Sequence, residues 1–205
     1  IYSLENYLTT RRLMYWQVYL HRTCVAYEKV LVNMLTRAKD LIRMGQDVFA
    51  SPALHYFLSN DVDAKWFAEH PETLTYYEEL DDSDIWSAMK AWKHHDDKIL
   101  STLATDMLDR RIFKVEVHEE PITEERIEEL KETIAQNMGI PLDDAHYMMS
   151  VNTISKDMYN VDDDSIGILY KNDEIRDISE ASELLNVQLL SKKIRKYYLC
   201  YQRFE

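Results

Sequence analysis

Apolar side chains recur at helical spacing from Leu4 to Leu41, through Leu8, Tyr15, Val18, Val25, Val30, Leu31, Met34 and Leu35, with no proline or glycine before Gly45. This spacing predicts a helix over 3–44. Fully helical, it would span about 60 Å at about 1.5 Å per residue, so one bend is expected, and Gly45 ends it. Ser51-Pro-Ala-Leu-His-Tyr-Phe-Leu-Ser-Asn-Asp61 reads as a turn and a short helix with Pro52 at its first position. An acidic stretch follows to Asp84. Asp81-Asp-Ser-Asp-Ile-Trp86 opens a further helix: its aspartates face the positive end of the helix dipole, and Ile85, Ala88, Met89 and Trp92 form an i, i+3, i+4, i+7 stripe. It ends near His94. Another helix covers about 97–110, with Ile99, Leu100, Leu103 and Met107 on its inner face.

From Ile112 the period changes. Ile112-Phe-Lys-Val-Glu-Val117 alternates as a strand does, and Pro121-Ile-Thr-Glu-Glu125 introduces a helix that Thr123 can cap and Gly139 closes. Strands are predicted at about 146–154, 165–170 and 174–178, the last two joined by a tight turn at Lys171-Asn-Asp173, and a closing strand at 193–201. Ser179 is expected to cap a short helix to Leu185. The predicted fold class is α+β, a mainly helical half (1–111) followed by a small α+β half (112–205).

Composition narrows the class. The chain of 205 residues is 46% apolar and 30% charged, enough to bury a core, and its apolar runs are too short for a membrane span or signal-peptide core. The expected location is the cytoplasm, with no membrane partner. Cys24 and Cys200 lie at opposite ends without metal-ligand spacing, which suits reduced thiols. Net charge is −13, which argues against nucleic acid as a partner. The charge is uneven: residues 1–45 hold seven Lys and Arg against three acids. A basic element in an acidic body suits a small anion such as a nucleotide phosphate, or is simply a solvated face.

Two strings invite chemistry. Lys93-His-His-Asp-Asp97 contains an adjacent His and Asp, the centre of a metal-dependent phosphohydrolase signature, but it falls between two predicted helices. There the basic residues suit one C-terminus and Asp96 or Asp97 suits the next N-cap, so no metal ligand is assigned. The second string is Tyr7-Leu-Thr-Thr-Arg-Arg-Leu-Met-Tyr-Trp-Gln-Val-Tyr-Leu-His-Arg22. At about 100° per residue Arg11, Tyr15, Val18, Tyr19 and Arg22 share a face, with His21 at its margin. An arginine between aromatic rings can offer its planar fork to a phosphate while the rings hold a base or sugar. A core helix with snorkelling arginines gives the same pattern.

The stretch Asn6 to Arg22, with its Thr-Arg doublet, an aromatic four residues on, a tyrosine four later, then His and a basic residue, resembles the segment after the catalytic core of HD-domain deoxynucleoside triphosphate triphosphohydrolases. These include bacterial dGTPases and the mammalian enzyme that joins a SAM domain to an HD domain. Leu108-Asp-Arg-Arg-Ile-Phe-Lys114, Asp163 to Tyr170 and Leu184 to Tyr197 are similar to later parts of that family, in the same order. The resemblance implies that Arg11 holds a substrate phosphate, that Tyr15 stands where the mammalian form has a His near the scissile phosphate, and that Tyr19 contacts sugar or base. It implies that His21, Arg22 and Arg195 contact a regulatory nucleotide between subunits of a homo-oligomer. Residues 1–111 would be the C-terminal part of an HD-type domain and 112–205 its associated small domain. The family's divalent metal ion is held by a His, a His-Asp doublet and a distant Asp that the resemblance places before Ile1. The chain therefore reads as the C-terminal portion of a (deoxy)nucleoside triphosphate hydrolase, inactive alone and with no metal of its own. A non-enzymatic oligomerisation or nucleotide-binding module is the alternative.

Overall fold

The structure, a computed structural model, describes residues 1–156, 165–182 and 194–204. It is α+β, helical in its N-terminal half and with small sheets toward the C-terminus. Nine α-helices among the described residues run α1 Tyr2–Met14, α2 Arg22–Arg43, α3 Pro52–Ser59, α4 Ala64–Glu69, α5 Thr73–Glu79, α6 Asp82–Trp92, α7 Lys98–Leu108, α8 Glu124–Met138 and α9 Ile178–Ala181. A π-helical turn, Tyr15–Tyr19, follows α1, and a 3-10 helix, Leu142–Met148, precedes the second strand. The strands are β1 Lys114–His118, β2 Met149–Lys156, β3 Gly167–Leu169, β4 Ile175–Asp177 and β5 Ile194–Tyr201.

Most helix ends follow from local chemistry. Ser51 caps α3 with Pro52 at N1, Asp81 and Asp84 close a capping box on α6, Asp97 accepts the Leu100 N–H at 2.8 Å to start α7, and Thr123 caps α8. Gly139 ends α8 at φ +60°, a left-handed conformation that costs a glycine little. The long N-terminal helix is interrupted at Leu20 and His21. The acidic stretch before Asp84 holds α4, capped by Asp63, and α5.

The contacts divide the chain into two compact units, each assembled from three stretches. The first comprises 1–25, 116–122 and 151–199; the second comprises 26–115, 123–150 and 200–205. The change at Arg111 is thus a change of secondary-structure type, whereas the compact units interleave along the chain. In the second unit Val30, Met34, Ala38 and Leu41 of α2, Ala88, Met89 and Trp92 of α6, Ile99, Leu100 and Leu103 of α7, and Leu130 and Ile134 of α8 are buried at helical spacing. The Trp92 indole N–H donates to the Phe49 carbonyl at 2.8 Å, so its burial leaves no orphaned donor.

In the first unit, β3 and β4 pair antiparallel, Ile168 opposite Arg176, across a turn with Asp173 at φ 62°. A Cβ at Gly167 would lie 2.8 Å from Ile175 Cγ2, so a larger residue there would displace the Ile175 side chain. Leu8 of α1 and Ile178 of α9 form a small buried core, with Leu4, Ile166 and Ile168 packed against it. A three-stranded sheet has the order β1-β5-β2. The expected helix from Ser179 to Leu185 is present as Ile178–Ala181; its remainder lies outside the described residues, as do Asp163, Asp164 and most of Leu184 to Tyr197. No helix among the described residues is long and apolar enough to cross a membrane.

Candidate functional site

Helix α1 is held by its buried side. Leu8 sits in the small core, and buried Glu5 accepts a hydrogen bond from the Ser182 hydroxyl. This anchoring leaves another set of side chains, each about one turn apart, for the surface. Tyr7, Thr10, Arg11, Met14, Tyr15 and Tyr19 line a cavity of about 420 Å³. None of these six is acidic, so the cavity wall carries one formal charge, the Arg11 guanidinium.

The π turn shapes the far end of this wall. The Leu20 N–H bonds to the Tyr15 carbonyl at 2.8 Å, five residues back rather than four, which adds a residue to the turn. The rings of Tyr15 and Tyr19 lie 5.3 Å apart between centroids and tilted by 53°. Arg11 Cζ stands 5.8 Å from the Tyr15 ring centroid, an exposed cation–π contact worth about 0.5–1 kcal/mol. No carboxylate among the described residues pairs with the Arg11 guanidinium. It is exposed, and it faces a cavity rather than an acid.

The structure brings Arg11, Tyr15 and Tyr19 to one cavity, as the sequence pattern places them. Val18 and Arg22 do not join them: the π turn and the break at Leu20 interrupt the periodicity that a continuous helix would have kept, and Arg22 opens α2. His21 sits at the break, where its Nδ1 accepts the Thr23 N–H at 3.2 Å and its carbonyl accepts the Val25 N–H at 3.1 Å. The break is tied to β5, since the Tyr198 hydroxyl donates to the Leu20 carbonyl at 3.2 Å. Lys196, two residues earlier on the same strand face, places Nζ 4.9 Å from the Trp16 ring centroid. Arg195 is exposed on the alternate face of β5. Tyr7, Thr10 and Met14 join the wall as well; Tyr7 continues the four-residue spacing of Arg11, Tyr15 and Tyr19 one turn upstream.

The His-His-Asp-Asp string has a structural role here. Asp97 caps α7 and grips Arg37 through both oxygens, Nη2 at 2.7 Å and Nε at 3.2 Å. Its backbone N–H donates to His95 Nδ1 at 2.9 Å. Arg37 also reaches Asp144 at 3.3 Å and lies 4.8 Å from the Tyr147 ring centroid, while the Tyr147 hydroxyl donates to Asp40 at 2.7 Å. Burial disfavours the charged Arg37, but its bonds to Asp97 and Tyr147 and the two carboxylates outweigh that, so its pKa is raised. Burial likewise pushes Asp97 up, and the Arg37 bond and the Leu100 N–H pull it below the ordinary carboxylate range. Among the described residues no three His, Cys, Asp or Glu side chains come together as a metal-ligand set. Among the described residues this string does not form a site for the divalent ion of that family.

No family model matches the chain. The uncharacterised protein YwfO of Bacillus subtilis (strain 168) is 28% identical over 207 residues, covering 98% of this chain and 45% of YwfO. The crystal structure of a phosphohydrolase from Bacteroides thetaiotaomicron VPI-5482 matches with a TM-score of 0.92 at 56% identity, covering 98% of this chain and 50% of that one. The chain spans about half the length of each of these relatives.

Proposed function

We propose that this chain is the phosphate-gripping portion of an HD-family phosphohydrolase acting on (deoxy)nucleoside triphosphates. The observation that carries the reading is the Arg11 guanidinium on the wall of a tyrosine-lined cavity, without a carboxylate partner among the described residues. A buried or paired arginine has its charge already spent; this one is available to an anion. The similarity to a phosphohydrolase at 56% identity supports the reaction class.

In this reading Arg11 neutralises charge on the polyphosphate, and Tyr15 and Tyr19 hold the sugar or base. Tyr15, which stands where the mammalian form of the resembled family has a His, acts here through its ring beside Arg11 and Tyr19. His21, Arg22 and Arg195 contact a regulatory nucleotide between copies of a homo-oligomer. A divalent ion, held in the whole protein by residues that the resemblance places before Ile1, would supply the activation of water.

The test is Arg11→Ala in the protein at its full native length, assayed for triphosphate release from dNTPs. Activity should fall about 10²–10³-fold, as for the loss of one charged transition-state contact, with the oligomer unchanged. Full activity with altered assembly would instead favour a non-enzymatic oligomerisation module. That second reading draws on the exposed apolar side chains beside the cavity, Leu13 at 50% and Val18 at 51% exposure.

A further inference from the structure

A second cavity, of about 500 Å³, lies in the other unit against α3 and α5. Its wall is a stacked pair of tyrosines, Tyr56 and Tyr76, with ring centroids 4.3 Å apart and planes within 15°. The pair is fixed in advance. The Tyr56 hydroxyl meets Thr73 Oγ1 at 2.7 Å and receives the Trp66 indole N–H at 3.0 Å, and Thr73 has no exposed surface.

The rim is polar and partly unsatisfied. His55 and Ser59, one helical turn apart, share a 3.2 Å hydrogen bond between Nδ1 and Oγ, which leaves the imidazole Nε2. Asn60 donates its amide to the Tyr56 carbonyl at 2.8 Å and keeps its Oδ1. Among the described residues that Nε2, that Oδ1 and the Tyr76 hydroxyl have no hydrogen-bond partner.

The lining offers an anion no permanent cation. No lysine or arginine lines the cavity, and Lys39 and Arg43 of α2 are both paired with Asp61, at 3.0 Å for Lys39 and by a shorter contact for Arg43. A phosphate would find no lysine or arginine. A quaternary ammonium would satisfy the rings but leave the imidazole and amide groups idle. A flat, uncharged ring that carries donors and acceptors in its own plane uses both kinds of group, stacking on tyrosine while its edge bonds to the rim.

We propose that this cavity binds a purine or pyrimidine ring without phosphates, a nucleobase or nucleoside, by stacking on the Tyr56–Tyr76 pair and hydrogen bonding to His55 and Asn60. The proposal does not depend on the role given to Arg11.

The experiment titrates the 205-residue chain with adenosine, guanosine, cytidine and thymidine, each up to its solubility limit, reading backbone amide shifts of residues 50–80 by NMR. At least one nucleoside should bind saturably. Tyr76→Ala should weaken it about tenfold or more, Tyr76→Phe should leave it within about twofold, and the exposed His55→Ala should weaken it without disturbing the fold. The shifts of residues 50–80 should be the same in Arg11→Ala, and adding phosphates to the nucleoside should not tighten binding at these residues. Absence of saturable shifts with all four nucleosides overturns the proposal. So does binding that Tyr76→Ala and His55→Ala leave intact, or that Arg11→Ala abolishes, because the ligand then sits elsewhere.

Discussion

Each unit contains an arginine set over a tyrosine, and their circumstances are opposite. Arg37 is 8% exposed, lies 4.8 Å from the Tyr147 ring and is held by Asp97 and Asp144. Arg11 lies 5.8 Å from the Tyr15 ring, is exposed, and has no carboxylate partner among the described residues. Sequence context alone makes the two look alike, a cation on a helix in the basic N-terminal segment. The surroundings separate them. A cation whose charge is fully answered inside the protein joins parts of the chain distant in sequence; one left unanswered beside a cavity is set up to receive charge from outside.

That contrast can be broken at several points. The largest expected effect is on stability: Arg37→Met leaves Asp97 and Asp144 without their cation and should cost about 3–5 kcal/mol in urea unfolding. Arg37→Met combined with Asp97→Asn should recover part of that loss. A cost under about 1 kcal/mol for the single variant would erase the distinction between the two arginines. Next is Arg11→Ala, expected to cost about 2.7–4 kcal/mol of transition-state binding in kcat/KM while shifting unfolding by no more than about 0.5 kcal/mol. An equal loss of stability would make Arg11 a second structural clamp.

A smaller effect sharpens the role of Asp97. Its folded-state pKa is lowered, so its contribution is fully present above the unfolded value near about 4 and is lost as pH falls through the folded value. Unfolding midpoints measured from pH 6 down to 2 should fall for the natural chain and flatten for Asp97→Asn. The smallest effect concerns Asp106, which is buried and whose carboxyl is pushed up by desolvation despite the Gln202 amide at 2.8 Å. A raised carboxylate contributes most below the unfolded pKa and loses that contribution as pH rises through the folded one. Asp106→Asn should therefore stabilise the chain by about 1 kcal/mol near neutrality, a gain that shrinks toward pH 4 in the same unfolding series. The amide can also donate to Gln202 Oε1, which is buried without a partner among the described residues.

Much of the fold was legible because it is written locally. Ser51-Pro52, Asp81, Asp97, Thr123 and Gly139 act within a few residues of themselves, and each ends or begins a helix where its chemistry demands. Helices α4 and α5 escaped because six or seven residues are too few to develop a periodic stripe. The Arg37 cluster escaped for another reason. Its partners lie 60 and 107 residues away, and nothing around Arg37 announces them. Of the candidate site, the spacing of Arg11, Tyr15 and Tyr19 was readable, whereas the five-residue hydrogen bond at Leu20 has no sequence signature and removed Val18 and Arg22 from the group.

The surplus residue in the turn from Tyr15 to Tyr19 has a cost in evolutionary freedom. Deleting any one of those five positions would let the backbone relax into ordinary helix, and regularity would improve. It would also swivel everything upstream by about 100° and draw it in by about 1.5 Å relative to Leu20 and His21. Substitutions in this turn can be absorbed one side chain at a time, but its length is a fixed count, and losing one residue dismantles the wall that Arg11 belongs to.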